Sequence, residues 1–354
     1  MRATVMREGK LVVDEILDPT PGPGQVLVET LACGICGSDL SAFAHTSEFL
    51  QASVDSGTDA FIFDPKCDLV LGHEFCARVI GAGPDTPDVV EGQVVVALPW
   101  AIETSGTLRT VGYSNSFPGG FGERMVLQAM ALEPVPDHVP PAVAALTEPL
   151  AVGFGNVARS GIEAGGSAVV VGCGPIGLGV VAGLAERGVA PIIASDPSPR
   201  RREAAVKFGA HRVVDPTQEE PIEVWRGYAE AGQAVTVFNC VAKTGLLNEL
   251  LYAVPPRTKI MQIGSLMVDD TIRPVVGIYK DVVIEMCMVY PLEGYAKTLH
   301  RIADGTVDAA ELITGEVGLS GIPAAFDALS RPDEHIKILV RPGLEADRIQ
   351  PPAP

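Results

Sequence analysis

Residues 169–177, "VVVGCGPIG", decide the fold of the middle of this chain. Three valines precede glycines at 172, 174 and 177, which is the spacing G-x-G-x-x-G. In a strand–turn–helix unit Gly172 makes the tight turn, Gly174 admits a pyrophosphate close to the backbone, and Gly177 lets helix and strand pack closely. The helix N-terminus then presents unpaired N–H groups to the phosphates. The motif alone is weak evidence, because a glycine-rich turn without a ligand has the same pattern.

Asp196 supplies the context that the glycines lack. It ends the next apolar run, 19 residues beyond Gly177, where a carboxylate meets the adenosine ribose of a dinucleotide. A carboxylate there repels a 2′-phosphate, so NAD is favoured over NADP. The run Arg200–Arg202 is compatible with an arginine that reaches a 2′-phosphate and with a solvated helix start. The expected cofactor residues in this stretch are Gly172, Gly174, Pro175, Ile176, Gly177 and Asp196.

The flanking sequence predicts two kinds of architecture. Around the motif, apolar runs such as "APIIASDP" and "AVTVFNC" alternate with helical stretches, which is typical of a parallel sheet covered on both faces. The first 150 or so residues read as short strands between turn signals, typical of a β-rich, barrel-like domain. We therefore predict an α/β chain in which a Rossmann doubly wound parallel sheet (153–290) is inserted in a β-rich domain (1–152). Residues 291–354 return to that domain and end in a flexible tail.

Composition excludes some classes of partner. The net charge of -18 argues against nucleic acid and anionic membranes, which both reward clustered Lys and Arg. Ser167–Ala185 carries no charge and is long enough for a membrane helix, but its glycines and Pro175 suit a strand, turn and helix better. Seven scattered cysteines and the absence of a signal-peptide pattern favour a reducing cytoplasm.

Three islands carry metal-binding residue types. "LACGICGSDLSAFAH" (31–45) holds Cys36 in a C-x-x-C pair, which fits a metal knuckle, a redox pair or a plain turn. His73 and Glu74 lie in "LGHEF", and Glu148 lies in "TEPLAV". Singly, these are compatible with a hydrogen-bonded core histidine, a satisfied surface charge and a helix N-terminal carboxylate. Together, a thiolate, an imidazole and carboxylates are the ligand set of an open catalytic zinc site.

"CGICGSDL", "LGHEF", "TEPLAV", "GCGPIG" and the Asp196 segment resemble, in order and approximate spacing, zinc-dependent medium-chain alcohol dehydrogenases. The similarity is to the polyol and threonine dehydrogenase branches and covers about Leu11 to Pro342. It implies a GroES-like catalytic domain around the Rossmann domain. It also implies zinc, NAD, a small alcohol or carbonyl substrate, and a homodimer or homotetramer.

The resemblance also implies roles for single residues. Cys36, His73 and Glu148 match zinc ligands, and Glu74 matches a glutamate that exchanges with water on the zinc. Near the metal ligands, Asp39 matches an aspartate that orients the ligand histidine, and Ser38 matches the hydroxyl that relays the substrate proton. In the cofactor site, Arg201 matches a basic residue near the adenosine ribose.

The chain departs from the family pattern in three ways. It lacks four clustered cysteines before "TEPLAV", so one catalytic zinc per subunit and no structural zinc is expected. Ser41 stands where a histidine commonly completes the proton relay. The interval from Cys36 to His73 is longer than usual, and the excess lies in the insert Ser41–Lys66. Its phenylalanines fit a lid over a substrate pocket and a surface excursion equally well.

The expected reaction is hydride transfer between NAD and a primary alcohol, secondary alcohol or polyol, or the matching aldehyde or ketone. Trp100, Tyr113 and Phe121 hint at an apolar or aromatic substrate. The alternatives are a zinc-free NAD(P)H-dependent reductase of the same superfamily and a non-catalytic dinucleotide-binding protein, because a fold alone does not fix chemistry.

Overall fold

The computed structural model describes residues 1–86, 89–230, 232–288, 292–331 and 334–352. Its packing divides the chain into two units. Unit 1 comprises Met1–Glu148, Leu299–Arg331 and Lys337–Pro354, and unit 2 comprises Pro149–Thr298 and Pro332–Ile336.

The elements follow in chain order. The strands are β1 (Arg2–Arg7), β2 (Lys10–Glu15), β3 (Gln25–Gly34), β4 (Glu74–Ala82), β5 (Val94–Ala97), β6 (Trp100–Ile102), β7 (Leu108–Thr110), β8 (Arg124–Gln128), β9 (Leu132–Pro134), β10 (Ser167–Val171), β11 (Ile192–Ser195), β12 (Arg212–Val214), β13 (Val235–Asn239), β14 (Lys259–Gln262), β15 (Val283–Met286), β16 (Ile313–Val317) and β17 (Lys337–Val340). The α-helices are α1 (Gly37–Ala44), α2 (Thr46–Ser56), α3 (Pro141–Ala144), α4 (Thr147–Ser160), α5 (Pro175–Glu186), α6 (Pro199–Lys207), α7 (Pro221–Tyr228), α8 (Leu246–Ala253), α9 (Pro274–Tyr279), α10 (Leu292–Ala303) and α11 (Ile322–Leu329).

Unit 1 is built on a seven-stranded sheet in the order β16-β17-β3-β4-β5-β9, with β8 also paired to β3. Its pairings are antiparallel except that β16 and β17 run parallel. β3 is ten residues long, so it pairs with β4, with β8 and, at its end, with β17. Gly34, the last residue of β3, lies opposite Glu74, the first residue of β4. This register places the start of α1 beside the start of β4.

Unit 2 contains a six-stranded sheet in the order β12-β11-β10-β13-β14-β15, with every pairing parallel. Counted along the chain this is the order 3-2-1-4-5-6 of dinucleotide-binding sheets. Its strands are apolar because both faces are covered; Val169, Ile193 and Val237, for example, are completely buried. The predicted fold class, a Rossmann sheet inserted in a β-rich domain, is confirmed.

The units divide the chain near, but not at, the predicted boundaries. Both divisions fall within helices, α4 and α10, and the short piece 332–336 returns to unit 2. The periodicity of apolar residues in a helix does not show where along that helix the packing changes from one unit to the other. The sequence therefore could not locate the two divisions within α4 and α10. As limits of functional domains, residues 152/153 and 290/291 stay predictions.

The uncharged stretch Ser167–Ala185 is divided between β10 and α5. In the part of the chain that the structure describes, no helix has the length and apolar character needed to cross a membrane. The C-terminal stretch is packed against unit 1 as far as Gln350, which pairs with Glu316, and Ala346 is buried. This packing differs from the predicted fraying; residues 353 and 354 lie outside the described residues.

Candidate functional site

Cys36, His73 and Glu74 meet in unit 1 because the end of β3 pairs with the start of β4. One possible ligand atom from each residue lies within 4.8 Å of those of the other two. His73 and Glu74 are buried, and Cys36 is half-buried. Sulfur, imidazole nitrogen and carboxylate oxygen are the donors that zinc takes in catalytic sites. The donor set therefore fits a zinc ion.

Asp39 connects two of these residues. Its carboxylate is fully buried; Oδ2 accepts a hydrogen bond from the Cys36 N–H at 2.9 Å, and Oδ1 lies 3.4 Å from His73 Nδ1. Burial by itself lowers the pKa of His73, but the charge and hydrogen bonding of Asp39, followed by Cys36, outweigh it and raise that pKa well above its ordinary value. Because Nδ1 faces Asp39, Nε2 is the nitrogen available to a metal.

Glu74 is held by a lysine from the far end of the chain. Lys337 Nζ donates to Glu74 Oε2 at 2.6 Å and to the Ile35 carbonyl at 2.9 Å, and both side chains are almost fully buried. Burial lowers the pKa of Lys337, but Glu74 and then Cys36 outweigh it and raise that pKa. Within the described structure Glu74 Oε1 is buried and accepts no hydrogen bond. A buried acceptor without a donor is unfavourable, so this oxygen also fits a metal ligand.

A glycine makes room for this carboxylate. A Cβ added to Gly34 would lie 2.1 Å from Glu74 Oε2, much closer than a Cβ approaches an atom to which it is not bonded. Gly34 is therefore required for the observed position of Glu74. The sequence pattern carried no sign of this requirement, because the two residues meet only through the register of β3 and β4.

Ser38 and Tyr113 complete the polar contacts around Asp39. The Tyr113 hydroxyl lies 2.9 Å from Ser38 Oγ and 3.0 Å from Asp39 Oδ1. Sequence reasoning named Tyr113 only as a possible pocket aromatic and did not name Lys337. The only trace of Lys337 in the sequence is that a lysine interrupts the apolar run "IKILV", which does not identify its partner.

Two other residues of the predicted metal motifs lie outside this cluster. Glu148 is buried near the start of α4 and does not belong to the group of three. Its role as a ligand stays a prediction. Cys33 is fully buried, and burial raises the pKa of its thiol well above the ordinary value. A protonated, buried thiol is a poor ligand, which leaves Cys36 as the donor of the C-x-x-C pair.

The insert Ser41–Lys66 forms the end of α1, all of α2 and a following loop. Phe49 and Phe63 are buried, and the rings of Phe49 and Phe61 contact Tyr113 at centroid distances of 5.3 and 5.8 Å. The insert is thus packed on unit 1. We call Phe49, Phe61, Phe63 and Tyr113 the aromatic cap. Phe121, expected near a pocket, is instead completely buried in the core of unit 1, and Trp100 is half-buried.

The glycine motif in unit 2 has the geometry of a phosphate-binding turn. Gly172 has φ 90°, which favours glycine, and a Cβ on Gly177 would lie 1.9 Å from the Gly172 carbonyl oxygen. A Cβ on Gly174 would meet nothing within 4 Å, so open space adjoins the backbone there. Pro175 and Ile176 follow as the first residues of α5, with proline at a position where its missing N–H is not needed. The turn therefore fits a dinucleotide pyrophosphate.

Asp196 follows β11 and is buried. Its carboxylate accepts hydrogen bonds from the N–H groups of Cys173, at 2.8 Å, and Ser198, at 2.9 Å. Asp196 is thereby held beside the glycine turn. Arg201 in α6 lies 4.0 Å from Asp196 Oδ2 and donates to the His335 carbonyl at 3.0 Å.

Comparisons with known proteins agree with both parts of the chain. A family model described as an alcohol dehydrogenase GroES-like domain matches residues 22–137, and one described as a zinc-binding dehydrogenase matches residues 175–304. An (R,R)-butanediol dehydrogenase of Neisseria gonorrhoeae is 27% identical and is matched over 97% of this chain and 99% of its own length. The crystal structure of 2R,3R-butanediol dehydrogenase from Bacillus subtilis has a TM-score of 0.79 at 25% identity, covering 97% of this chain and 99% of that one.

An L-threonine 3-dehydrogenase of Pyrococcus horikoshii is 30% identical over 71% of both chains. This identity, and the two family models matched in order, agree with the resemblance that the motifs carry. The chain belongs to the zinc-dependent medium-chain alcohol dehydrogenase family.

Proposed function

We propose that this protein is a zinc-dependent, NAD-linked dehydrogenase that interconverts an alcohol and the matching carbonyl compound. The observation that carries the proposal is the buried group of Cys36, His73 and Glu74, in which one carboxylate oxygen has no donor in the described structure. Relatives named butanediol dehydrogenase and threonine 3-dehydrogenase favour one substrate class. In both named compounds a secondary alcohol adjoins a carbon that bears oxygen or nitrogen.

The chain's own residues have defined tasks in this reaction. When bound, zinc supplies Lewis acidity to the substrate oxygen, and the nicotinamide ring of NAD accepts the hydride. Cys36, His73 and Glu74 hold the metal, with Glu148 as a further predicted ligand. Asp39 faces Nδ1 of His73 and so leaves its Nε2 available. Ser38, half-buried two residues beyond Cys36, takes up the proton of the alcohol and passes its own hydroxyl hydrogen on.

We propose one zinc ion per chain, at this catalytic position. The cluster at Cys36 is the one group of three or more possible metal ligands found in the described residues. Cysteines of the chain outside it, such as Cys67 and Cys76, do not form the four-cysteine cluster of a structural zinc site.

NAD is favoured over NADP by the charges around Asp196. The Asp196 carboxylate would face a 2′-phosphate, whereas each neighbouring arginine already binds backbone oxygen. Arg200 donates to the Glu334 carbonyl at 3.2 Å, and Arg202 donates to the carbonyl of Asp196 at 2.7 Å. A 2′-phosphate would therefore meet repulsion from Asp196, and each neighbouring guanidinium would have to bind it in addition to the carbonyl oxygen that it already contacts.

We further propose a homodimer formed through β15. This strand is an edge of the described sheet of unit 2, and its Val283 and Met286 are exposed, as are Ile278 and Tyr279 in α9. An edge strand with apolar neighbours favours pairing with a second copy about a two-fold axis. A cytoplasmic location stays a prediction from the sequence.

Metal analysis and activity assays test the central proposal together. We expect about one zinc per chain and NADH formation from NAD with alcohols of a panel that includes butane-2,3-diol and threonine. Cys36→Ala should lose zinc and at least about a hundredfold in kcat/KM, because it removes a ligand to the Lewis acid. Cys67→Ala, which changes an exposed cysteine, is the matched control and should keep both. Protein without stoichiometric zinc, together with full activity of Cys36→Ala, would contradict the proposal.

A further inference from the structure

The Tyr113 hydroxyl is buried between two residues that serve the candidate metal site. It lies within hydrogen-bond distance of both Ser38 Oγ and Asp39 Oδ1, and the side chain is 2% exposed. The Tyr113 ring also lies against the His73 ring, with centroids 5.1 Å apart. One side chain thus contacts the hydroxyl proposed to accept the substrate proton, the aspartate and a metal ligand.

The number of hydrogens available restricts how these groups can bond. The phenol has a single hydrogen, and an ionised carboxylate only accepts. If Tyr113 gives its hydrogen to Asp39, its oxygen accepts the hydrogen of Ser38. This arrangement satisfies both contacts at once. It also leaves the lone pairs of Ser38 Oγ available to a substrate hydroxyl. When Oγ takes up the substrate proton, its own hydrogen moves to the Tyr113 oxygen and the Tyr113 hydrogen moves to Asp39, so that each O–H bond formed is matched by one broken.

Ser41 does not compete for this role. It occupies the position where a relay histidine is common, but its hydroxyl donates to the Gly37 carbonyl at 3.1 Å, within α1. Tyr113 is therefore the observed partner of the Ser38 hydroxyl in the described structure.

The aromatic cap restricts the position of the Tyr113 ring. Phe49 and Phe61 pack against it at 5.3 and 5.8 Å, and Phe49 also contacts Phe63 at 6.2 Å. Three of these four rings come from the insert. Close-packed rings have few alternative rotamers, so the insert fixes the hydroxyl between Ser38 and Asp39.

We propose that Tyr113 is a positioning residue for the dehydrogenase reaction. Its hydroxyl orients Ser38 as the proton acceptor and holds Asp39 against His73, and the insert keeps it in place. The inference rests on the proposed function, because it assigns a task within that reaction.

Tyr113→Phe is the direct test, since it removes the hydroxyl and keeps the ring in the aromatic cap. We expect kcat for the best alcohol of the panel to fall about tenfold and KM to change less than about twofold. The loss of kcat should be smaller than the roughly hundredfold or larger effect of losing a proton-transfer group, because Ser38 itself remains. The affinity for zinc, measured by chelator competition, should fall about three- to tenfold. This is less than the roughly 10- to 100-fold loss that follows when a residue bonded directly to a metal ligand is removed, because Tyr113 acts through Asp39. Tyr295→Phe removes another buried tyrosine hydroxyl, in unit 2, and should change neither quantity.

A double-mutant cycle with Ser38→Ala separates positioning from a general packing effect. If Tyr113 acts on kcat through Ser38, Tyr113→Phe should cause no further loss of kcat in the Ser38→Ala background. Phe61→Leu loosens the aromatic cap without removing a hydroxyl. It should lower kcat in the natural chain and leave it unchanged in Ser38→Ala, which keeps the test decisive even if Tyr113→Phe folds poorly.

Two results would overturn the inference while the proposed function stands. One is an active, zinc-containing natural protein whose Tyr113→Phe variant has unchanged kcat and zinc affinity. The other is a loss from Tyr113→Phe that is as large in Ser38→Ala as in the natural chain. If the natural protein binds zinc but turns over no alcohol, the proposed function fails instead. An unchanged zinc affinity of Tyr113→Phe would then overturn the link through Asp39.

Discussion

Lys337 and Glu74 form an ion pair that is almost completely shielded from water. Two buried charges compensate each other, whereas removal of one typically costs about 3–5 kcal/mol because the other is left uncompensated. Lys337 also donates to the Ile35 carbonyl, next to Cys36 in the chain. Lys337 therefore holds two parts of the candidate metal site. Its charge fixes the carboxylate of Glu74, and its hydrogen bond fixes the backbone just before Cys36.

Asp196→Asn tests the proposed role of Asp196 in favouring NAD over NADP. The change removes the negative charge and keeps one amide oxygen, which can accept from the N–H of Cys173 or of Ser198 but not from both, because these groups bond to different carboxylate oxygens of Asp196. We expect the ratio of kcat/KM with NAD to that with NADP to fall about tenfold or more, as repulsion of the 2′-phosphate disappears. Steady-state kinetics with both cofactors measure this ratio.

The matched control is Asp215→Asn. Asp215 also lies near an arginine, with its Oδ2 3.4 Å from Arg202, but it is not beside the glycine turn. Its replacement should leave the cofactor ratio unchanged. An Asp196→Asn variant with an undiminished preference for NAD would show that another residue selects the cofactor.

Residue type and order were enough to predict Cys36, His73 and Glu74 as a group. They were not enough to predict Gly34, Tyr113 or Lys337, whose importance depends on contacts across the sheet of unit 1. Lys337 reaches Glu74 over 263 positions because β17 pairs with β3. A local pattern carries no information about such a pairing.

At the scale of elements, the turn between β10 and α5 contains two glycines with different constraints. Gly174→Ala places a methyl group where the protein has open space, whereas Gly177→Ala places it 1.9 Å from a carbonyl oxygen. We expect Gly174→Ala to keep its melting temperature and to raise the Kd for NAD about tenfold or more, since the methyl group occupies the path of the pyrophosphate. Calorimetric titration with NAD measures the Kd.

Gly177→Ala should behave in the opposite way in the same experiments. It should lower the melting temperature markedly, because the added methyl group forces the helix away from the strand. Inserting extra atoms into a closely packed site typically costs about 1–3 kcal/mol of stability. Equal stability of the two variants would contradict this division of roles. So would NAD binding by Gly174→Ala that matches the natural chain.

Elements were predictable where one pattern dominated. The apolar strands of unit 2 and the helices between them follow from the sequence. The insert did not, because its helix α2 is amphipathic over only eleven residues and ends at Gly57, which has φ 68°. Its buried face depends on Phe49 meeting Tyr113, a contact between α2 and the loop that follows β7.

At the scale of the whole molecule, the edge strand β15 determines the expected assembly. Met286 is 71% exposed on that strand. We expect the natural protein to elute with about twice the chain mass of 37.1 kDa and Met286→Lys to elute as a monomer, because a charge on an edge strand opposes pairing. Size-exclusion chromatography with light scattering measures the mass.

Leu17→Lys provides the control for this experiment. Leu17 is 92% exposed in unit 1, so its replacement adds the same charge to an exposed apolar position elsewhere. It should leave the assembly intact. A natural protein that elutes as a monomer, or a Met286→Lys variant that remains dimeric, would exclude β15 as the interface.

The buried lysine also sets an order of events during translation. Cys36, His73 and Glu74 leave the ribosome long before Lys337, which follows Glu74 by 263 positions. At ordinary synthesis rates of about 5–20 residues per second, that interval lasts roughly 13 to 53 s. Over this time the continuous part of unit 2, Pro149–Thr298, is completed, while Glu74 still lacks its counter-ion. The glycine turn of unit 2 is therefore synthesised before the candidate metal site gains the counter-ion of Glu74, which comes only with β17.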